Sequence, residues 1–223
     1  MGLVFLGPPG SGKGTISKII SNEFKYHHIS TGDLFRENIL NSTTLGKEIK
    51  KIVEKGELVP DLITIKIVKD KIKAIEKNDD FILDGFPRNI CQAEALDKFL
   101  PNVKIINFLI NEKLVIKRLS GRRICKSCNN IFNIYTLATK KNGICDVCGG
   151  DLYQREDDKE ECLKTRLKEY KLQTKPLIEF YSKCSRLNNI DASVEIDEIR
   201  KKIIKIMLKK INRKGKKLNE KGI

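Results

Sequence analysis

The residues best suited to chemistry come first in the chain. Gly7-Pro8-Pro9-Gly10-Ser11-Gly12-Lys13-Gly14-Thr15 packs glycines around a single lysine. Glycines let a backbone fold around an oxyanion with its N–H groups turned inward. A helix opening here adds a partial positive charge, and Lys13 can reach the β and γ phosphates of a nucleotide. Gly10, Ser11, Gly12, Lys13, Gly14 and Thr15 are therefore the candidate phosphate cradle. The strict pattern G-x-x-x-x-G-K-[ST] is missed at one position: Gly14 stands where a hydroxyl is expected, and Thr15 comes one later. The context is right, because the turn follows the apolar run Leu3-Val4-Phe5-Leu6 and precedes helical spacing.

Six arginines, Arg36, Arg88, Arg118, Arg122, Arg155 and Arg166, stand out from a chain that otherwise prefers lysine. The guanidinium is a planar fork that matches two phosphate oxygens, which an ammonium cannot do. Moving a phosphoryl group between two polyanions depends mainly on positioning and positive charge. No strong general base is needed, and none is evident: His27 and His28, between Tyr26 and Ile29, read as packing or surface residues.

Two pairs, Cys125-x2-Cys128 and Cys145-x2-Cys148, lie sixteen residues apart, the spacing of a four-cysteine zinc ribbon. Asn129-Asn130 and Gly149-Gly150 follow them as turn formers. Four thiolates fill a tetrahedral shell, so the expected Zn2+ is structural. The odd total of seven cysteines argues against a disulfide framework. Cys91, Cys162 and Cys184 read as small apolar residues or idle thiols.

In the form GxPGxGKGT the cradle resembles that of the nucleoside-monophosphate kinases, the adenylate kinase family above all. The resemblance continues through Ile29-Ser30-Thr31-Gly32-Asp33, Arg36, Gly56-Glu57-Leu58-Val59-Pro60, and Asp84-Gly85-Phe86-Pro87-Arg88 with Gln92. It resumes at Arg118, Gly121-Arg122-Arg123, Arg155, Asp157-Asp158 and Arg166. These matches keep the family's order over nearly the whole chain.

The resemblance implies reversible, Mg2+-dependent phosphoryl transfer from ATP to AMP, giving two ADP. It assigns Lys13, Arg118 and Arg122 to the ATP phosphates, Arg36 and Arg88 to the AMP phosphate, and Arg155 and Arg166 to bridging both during transfer. Asp84, with help from Asp33, would orient the water shell of Mg2+. Lys13, Asp84, Arg88, Arg122, Arg155 and Arg166 are thus the expected catalytic set. The acceptor base would meet Gln92, one helical turn after Arg88, together with Thr31, Gly85 and the backbone of Glu57, Leu58 and Val59. The donor base would lie near Ile131, Phe132 and Val194; ATP is the default donor and GTP stays open. The cysteines fall where some members carry a zinc-binding lid and others use polar side chains.

Elements of the right kind are available to position these groups. Strands are expected at Leu3 to Leu6, Phe81 to Leu83, Val103 to Ile110 and around Ile190. Helices are expected after Lys13, over Thr31 to Lys55 with a break near Asn41 to Thr44, and over Leu62 to Glu76. Further helices are expected over Gln92 to Phe99, Glu112 to Arg123, Lys159 to Ser185 with an interruption at Pro176, and around Ile196 to Met207. Alternating β and α elements imply an α/β fold, a doubly wound parallel sheet of about five strands with helices on both faces. The expected organisation is a P-loop core at 1–29, 60–121 and 160–212, a helical clamp for the monophosphate at 30–59, and an inserted lid at 122–159. A disordered basic tail is expected at 213–223. Closure of clamp and lid would exclude water and prevent hydrolysis of the donor.

Composition bounds the remaining classes. With 40% hydrophobic and 33% charged residues, the 223-residue chain can bury a core. No apolar run is long enough to span a bilayer, and the opening residues lack the features of a secretion signal. The net charge of +15 is concentrated at the end: residues 200–223 hold eleven Lys or Arg against one Glu. Neither nucleic-acid binding nor membrane insertion is expected, and a cytoplasmic monomer is, with an organellar location left open. The alternatives are a GTP:AMP phosphotransferase or another nucleoside-monophosphate kinase. A P-loop ATPase with a nucleic-acid-binding zinc ribbon is more remote, because the insert lacks interleaved aromatic and basic residues.

Overall fold

The structure is a computed structural model that describes residues 1–76 and 79–208. Five short strands, β1 (Gly2–Leu6), β2 (His27–Ser30), β3 (Phe81–Asp84), β4 (Lys104–Leu109) and β8 (Leu187–Asp191), form one parallel sheet in the order β2-β3-β1-β4-β8. Both faces are covered, as an all-parallel sheet requires. Because side chains alternate along a strand, Leu3 and Phe5 of β1 face helices α1 (Lys13–Phe24) and α9 (Ile196–Leu208) through Ile16, Ile20, Ile199 and Ile203. Val4 and Leu6 face the opposite layer, where α4 (Asp61–Lys73), α5 (Ile90–Phe99) and α8 (Pro176–Ser182) contribute Val68, Ala93, Leu96, Leu177 and Tyr181.

This arrangement places the site. The chain leaves β1 for a helix on one face and leaves the adjacent β3 for a helix on the other. A crevice opens at the carboxyl ends of two strands whose connections diverge in this way, the usual ligand position in such sheets.

Two smaller units flank the core. Helices α2 (Thr31–Leu40) and α3 (Thr44–Glu54) share a core of Phe35, Ile49 and Val59. Both are capped by hydroxyls: Ser30 Oγ accepts from Asp33 N, and Thr43 Oγ1 from Gly46 N. Beyond α6 (Glu112–Ser120), strands β5 (Arg122–Cys125), β6 (Ile131–Asn133) and β7 (Leu152–Tyr153) form a small antiparallel sheet in the order β6-β5-β7. A 3-10 turn (Glu156–Asp158) leads into α7 (Glu160–Glu169), which packs on α6 through Val115, Leu119, Leu163 and Leu167.

One local expectation needs correction, one is met, and one strand was not foreseen. The helix expected through Arg123 stops at Ser120, and Arg122 and Arg123 pair as strand with Asn133 and Phe132. The interruption expected at Pro176 is present: α7 widens into a π-helical turn (Tyr170–Thr174), and Pro176 then starts α8 at the position where its missing N–H costs least. His27 and His28 belong to β2, a strand at the sheet edge. The tail expected at 213–223 lies outside the described residues. Among the described residues, no helix is long and apolar enough to cross a membrane.

Candidate active site

The loop after β1 is built for close approach. Gly7 and Gly12 both have positive φ, at 138° and 91°. A Cβ at Gly7 would strike Phe108, whereas nothing lies within 4 Å of one at Gly12, which faces open space. Lys13 opens α1 and turns back over the loop, donating to Gly7 O at 2.8 Å, Pro8 O at 2.7 Å and Ser11 Oγ at 3.2 Å. Burial pushes the Lys13 pKa down to about 8, Asp84 opposes the shift, and Arg88, Arg166 and Arg122 add to it. The irregular Gly14 now has a physical reason. A Cβ there would sit 3.3 Å from Asp84 Oδ2, so any side chain would approach the carboxylate at the end of β3 closely.

Around this cradle the fold gathers charge from distant segments. Arg88 Nε donates to Gly85 O at 2.9 Å, and Thr31 Oγ1 donates to the same oxygen at 2.9 Å. Thr174, carried inward by the π turn, donates to Arg88 O at 2.8 Å. Arg36 pairs with Asp33 at 2.6 Å, and Arg155 Nη2 lies 3.8 Å from the same carboxylate oxygen. Arg166 contacts Asp157 Oδ2 at 3.0 Å and Asp158 Oδ1 at 2.7 Å.

Lys13, Arg36, Arg88, Arg122, Arg155 and Arg166 thus stand against Asp33, Asp84, Asp157 and Asp158, six cations to four carboxylates. Burial, together with repulsion from neighbouring arginines, pushes Arg88, Arg155 and Arg166 below the ordinary arginine range. They remain charged at neutral pH nonetheless. For Asp33 and Asp157 burial acts upward, but the adjacent arginines outweigh it and both carboxyls end below their ordinary pKa. Arg155 Nε is buried without a hydrogen-bond partner. A guanidinium N–H left free among cations is a donor suited to an anion.

Some expected residues sit elsewhere. Arg118 donates to Ala192 O at 2.9 Å, which places it beside the loop carrying Val194. Phe132 packs on Cys125 and Cys145 in the small sheet, with Ile131 beside it on β6. Gln92 is buried at 1% exposure, with Arg88 N and Asp61 Oδ1 as partners. Val59 is buried, Leu58 half-buried and Glu57 exposed. Sequence reasoning gave no role to Asp61 or Thr174 and named Asp157 and Asp158 only as points of resemblance. A carboxylate or hydroxyl that serves an arginine has no spacing rule to reveal it.

The four cysteines converge. Cys125 Sγ lies 3.4 Å from Cys148 Sγ, Cys128 Sγ lies 3.6 Å from Cys145 Sγ, and all four sulfurs fall within 4.8 Å of one another. A tetrahedral zinc with Zn–S near 2.3 Å asks for sulfurs about 3.8 Å apart. The two pairs are built alike. Asn129 N donates to Cys125 O and Gly149 N to Cys145 O; Cys125 N donates to Asn130 O and Cys145 N to Gly150 O. Asn129 and Gly149 both take positive φ, 56° and 72°. The backbone N–H of Asn130 is the largest influence lowering the Cys128 thiol, whereas, against the backbone N–H of Gly150, the crowded neighbours Cys125 and Cys128 push the Cys148 thiol up. The cluster therefore fits a zinc ion.

A family model described as adenylate kinase matches residues 5–186. The chain belongs to the adenylate kinase family. An adenylate kinase of Borrelia garinii subsp. bavariensis is 97% identical over 94% of this chain and 100% of its own length. That of Borreliella burgdorferi is 94% identical over the same shares. A more distant adenylate kinase, from Thermosipho melanesiensis, is 47% identical over 93% of this chain and 99% of its own. The family and fold expected from the cradle and the arginines are borne out: the chain is a nucleoside-monophosphate kinase, an enzyme of phosphoryl transfer.

Proposed function

We propose that this adenylate kinase family member transfers the terminal phosphoryl group of ATP to AMP, releasing two ADP. The observation that carries the reading is the convergence of Lys13 and five arginines on one crevice, with Arg155 Nε buried and unpaired. Lys13 and Arg122 hold the donor phosphates, Arg118 lies on the donor-base side beside the loop of Val194, and Arg36 and Arg88 hold the acceptor phosphate. Arg155, which approaches Asp33 of the clamp, and Arg166, held by Asp157 and Asp158, bridge the two nucleotides during transfer.

The acceptor phosphate is already ionised near neutral pH, so no side chain removes a proton. The transferring group passes between two oxygens held in line, and its charge is met by guanidinium groups fixed before substrate arrives. Magnesium carried by the donor would supply further neutralisation of phosphate charge, and Asp84, at the foot of the cradle, would orient its water shell. The carboxylates now paired with the arginines keep them extended and poised.

The segment at 30–59 acts as the clamp on the monophosphate and 122–159 as the lid, the latter held in shape by zinc on Cys125, Cys128, Cys145 and Cys148. Clamp and core already touch: Cys162 Sγ donates to Glu54 O at 3.1 Å, and a Cβ at Gly56 would meet Arg166. Every group named comes from one chain, so a monomer suffices. A thiolate cluster of this kind suits the reducing cytoplasm.

A coupled assay of ATP and GTP against AMP, CMP, UMP and GMP, with and without Mg2+, tests the reading. ATP with AMP should be fastest and depend on the metal. Hydrolysis of ATP with no transfer to any monophosphate would refute it.

A further inference from the structure

Asp61 touches none of the arginines of the cradle, yet it fixes the orientation of a residue that does its work by hydrogen-bond polarity. Asp61 Oδ1 accepts from Gln92 Nε2 at 2.7 Å and from Asn89 Nδ2 at 2.8 Å. At the other end of the same amide, Gln92 Oε1 accepts from the Arg88 backbone N–H at 2.8 Å. Asn89 is itself oriented, since its Oδ1 accepts from Gln92 N at 2.9 Å while capping α5.

A carboxylate only accepts and a peptide N–H only donates. These two partners therefore dictate which end of the Gln92 amide carries oxygen and which carries nitrogen. Flipping the amide would set its carbonyl against the Asp61 carboxylate and its NH2 against the Arg88 N–H. Gln92 is 1% exposed, so water cannot relieve either clash. In the observed orientation one amide N–H and one oxygen lone pair remain for a third partner.

We propose that Asp61 is a specificity-determining residue of the acceptor site, holding Gln92 in the one orientation that reads a 6-aminopurine and refuses a 6-oxopurine. This rests on the reading above, in which Gln92 meets the acceptor base. A 6-aminopurine presents an amino donor beside a ring-nitrogen acceptor. A 6-oxopurine of the same outline presents a carbonyl acceptor beside a ring N–H donor. An amide can pair with either edge, but in opposite orientations, so a freely turning glutamine discriminates weakly. A glutamine locked at both ends leaves the wrong base facing buried groups of its own polarity, the situation in which binding sites reject analogues most strongly.

The test compares kcat/KM for AMP and for IMP, with one donor, in the wild type and in Asp61→Ala, Asp61→Leu and Asp61→Asn. IMP is chosen because it inverts the hydrogen-bonding edge without adding the 2-amino group of guanine. Losing a hydrogen bond to a charged partner should lower the AMP/IMP ratio about tenfold or more in the Ala and Leu variants. The Asn variant keeps an oxygen able to accept from both Gln92 and Asn89, so it should retain the wild-type ratio.

A ratio is insensitive to the fraction of folded enzyme, and a purely structural Asp61 would weaken both substrates alike. An unchanged ratio in the Ala and Leu variants overturns the proposal, as does a fall in the Asn variant as large as theirs. Equilibrium binding of AMP and IMP to the same four proteins gives the ratio without turnover. Failure of the wild type to phosphorylate AMP would thus count against the proposed function, while an unchanged binding ratio counts against the role of Asp61.

Discussion

Asp158 grips Arg122 with both carboxylate oxygens, at 2.7 Å to Nε and 2.5 Å to Nη2, and is itself 1% exposed. The same carboxylate accepts from Arg166 Nη1 at 2.7 Å. One buried acid thus ties the first strand of the small sheet to α7, and holds two guanidinium groups at the crevice. Without it Arg122 would lose its carboxylate and Arg166 would keep Asp157 alone, leaving two mutually repelling cations with one acid between them.

Asp158→Ala should therefore destabilise the protein by about 3 kcal/mol, the scale of breaking a buried ion pair from one side. Denaturant unfolding with unchanged m reports the loss. Turnover should fall as well, since Arg122 and Arg166 lose their fixed positions. A variant with wild-type stability and turnover would show that the pairings are incidental.

Lys13→Ala and Arg88→Ala should each lower kcat by about two to three orders of magnitude, the range for removing a preorganised charge from a transition state. Neither side chain belongs to a hydrophobic cluster, so circular dichroism and melting should change little. Near-wild-type turnover of either variant at saturating substrate would remove it from the catalytic set.

Lys13 also sets a pH dependence. Its pKa, lowered by burial to about 8, lies below the 10.5 of an unfolded lysine. Between those values the unfolded chain holds a proton that the free enzyme has shed, so this group's contribution to stability rises with pH across that window. Affinity runs the other way. Phosphate binds the charged ammonium, so KM for the donor should rise above about pH 8 by up to about tenfold per unit. The effect on kcat should be smaller, because bound phosphate returns the proton. A donor KM that stays flat from pH 7 to 9.5 would contradict this assignment.

The legible parts of this molecule are those whose signals are local. Strand β1, the glycine turn and α1 follow from an apolar run, four glycines and 3.6-residue spacing, and the break between α2 and α3 follows from Thr43 as a cap. Strand β2 was not legible: His27-His28-Ile29-Ser30 is short and polar, and becomes a strand only because β3 offers its edge. Arg122 and Arg123 continued a helical pattern by composition, yet pairing with Asn133 and Phe132 across a turn makes them a strand. The candidate site divides in the same way. Lys13, Arg88 and the cysteines announce themselves by motif, whereas Asp61 meets Gln92 across 31 residues and Thr174 meets Arg88 across 86, distances at which only the fold supplies the pairing.

The cysteine cluster gives the last prediction. Between Cys125 and Asp158 the buried apolar core is little more than Phe132 and the thiols Cys125 and Cys145, with Leu152 against them. So small a core cannot offset the entropy of ordering over thirty residues, and a bound metal supplies the missing free energy. The two matching turns bring four sulfurs within 4.8 Å of one another, and a backbone N–H at Val147 meets Cys145 Sγ at 3.4 Å, a donor set that suits a soft divalent ion. Protein purified without added metal should carry about one zinc per chain. Removing it with a chelator, or changing Cys128→Ala, should lower the melting temperature and expose 122–159 to protease, while the parallel sheet stays folded. Four side chains complete the tetrahedron with no place for water or substrate, so catalysis should suffer only through the loosened lid. Re-adding Zn2+ should restore both protease resistance and rate, whereas Mg2+, which prefers six oxygen ligands, should restore neither. Elemental analysis showing no zinc, with all four thiols titrating freely, would end the argument for a metal here.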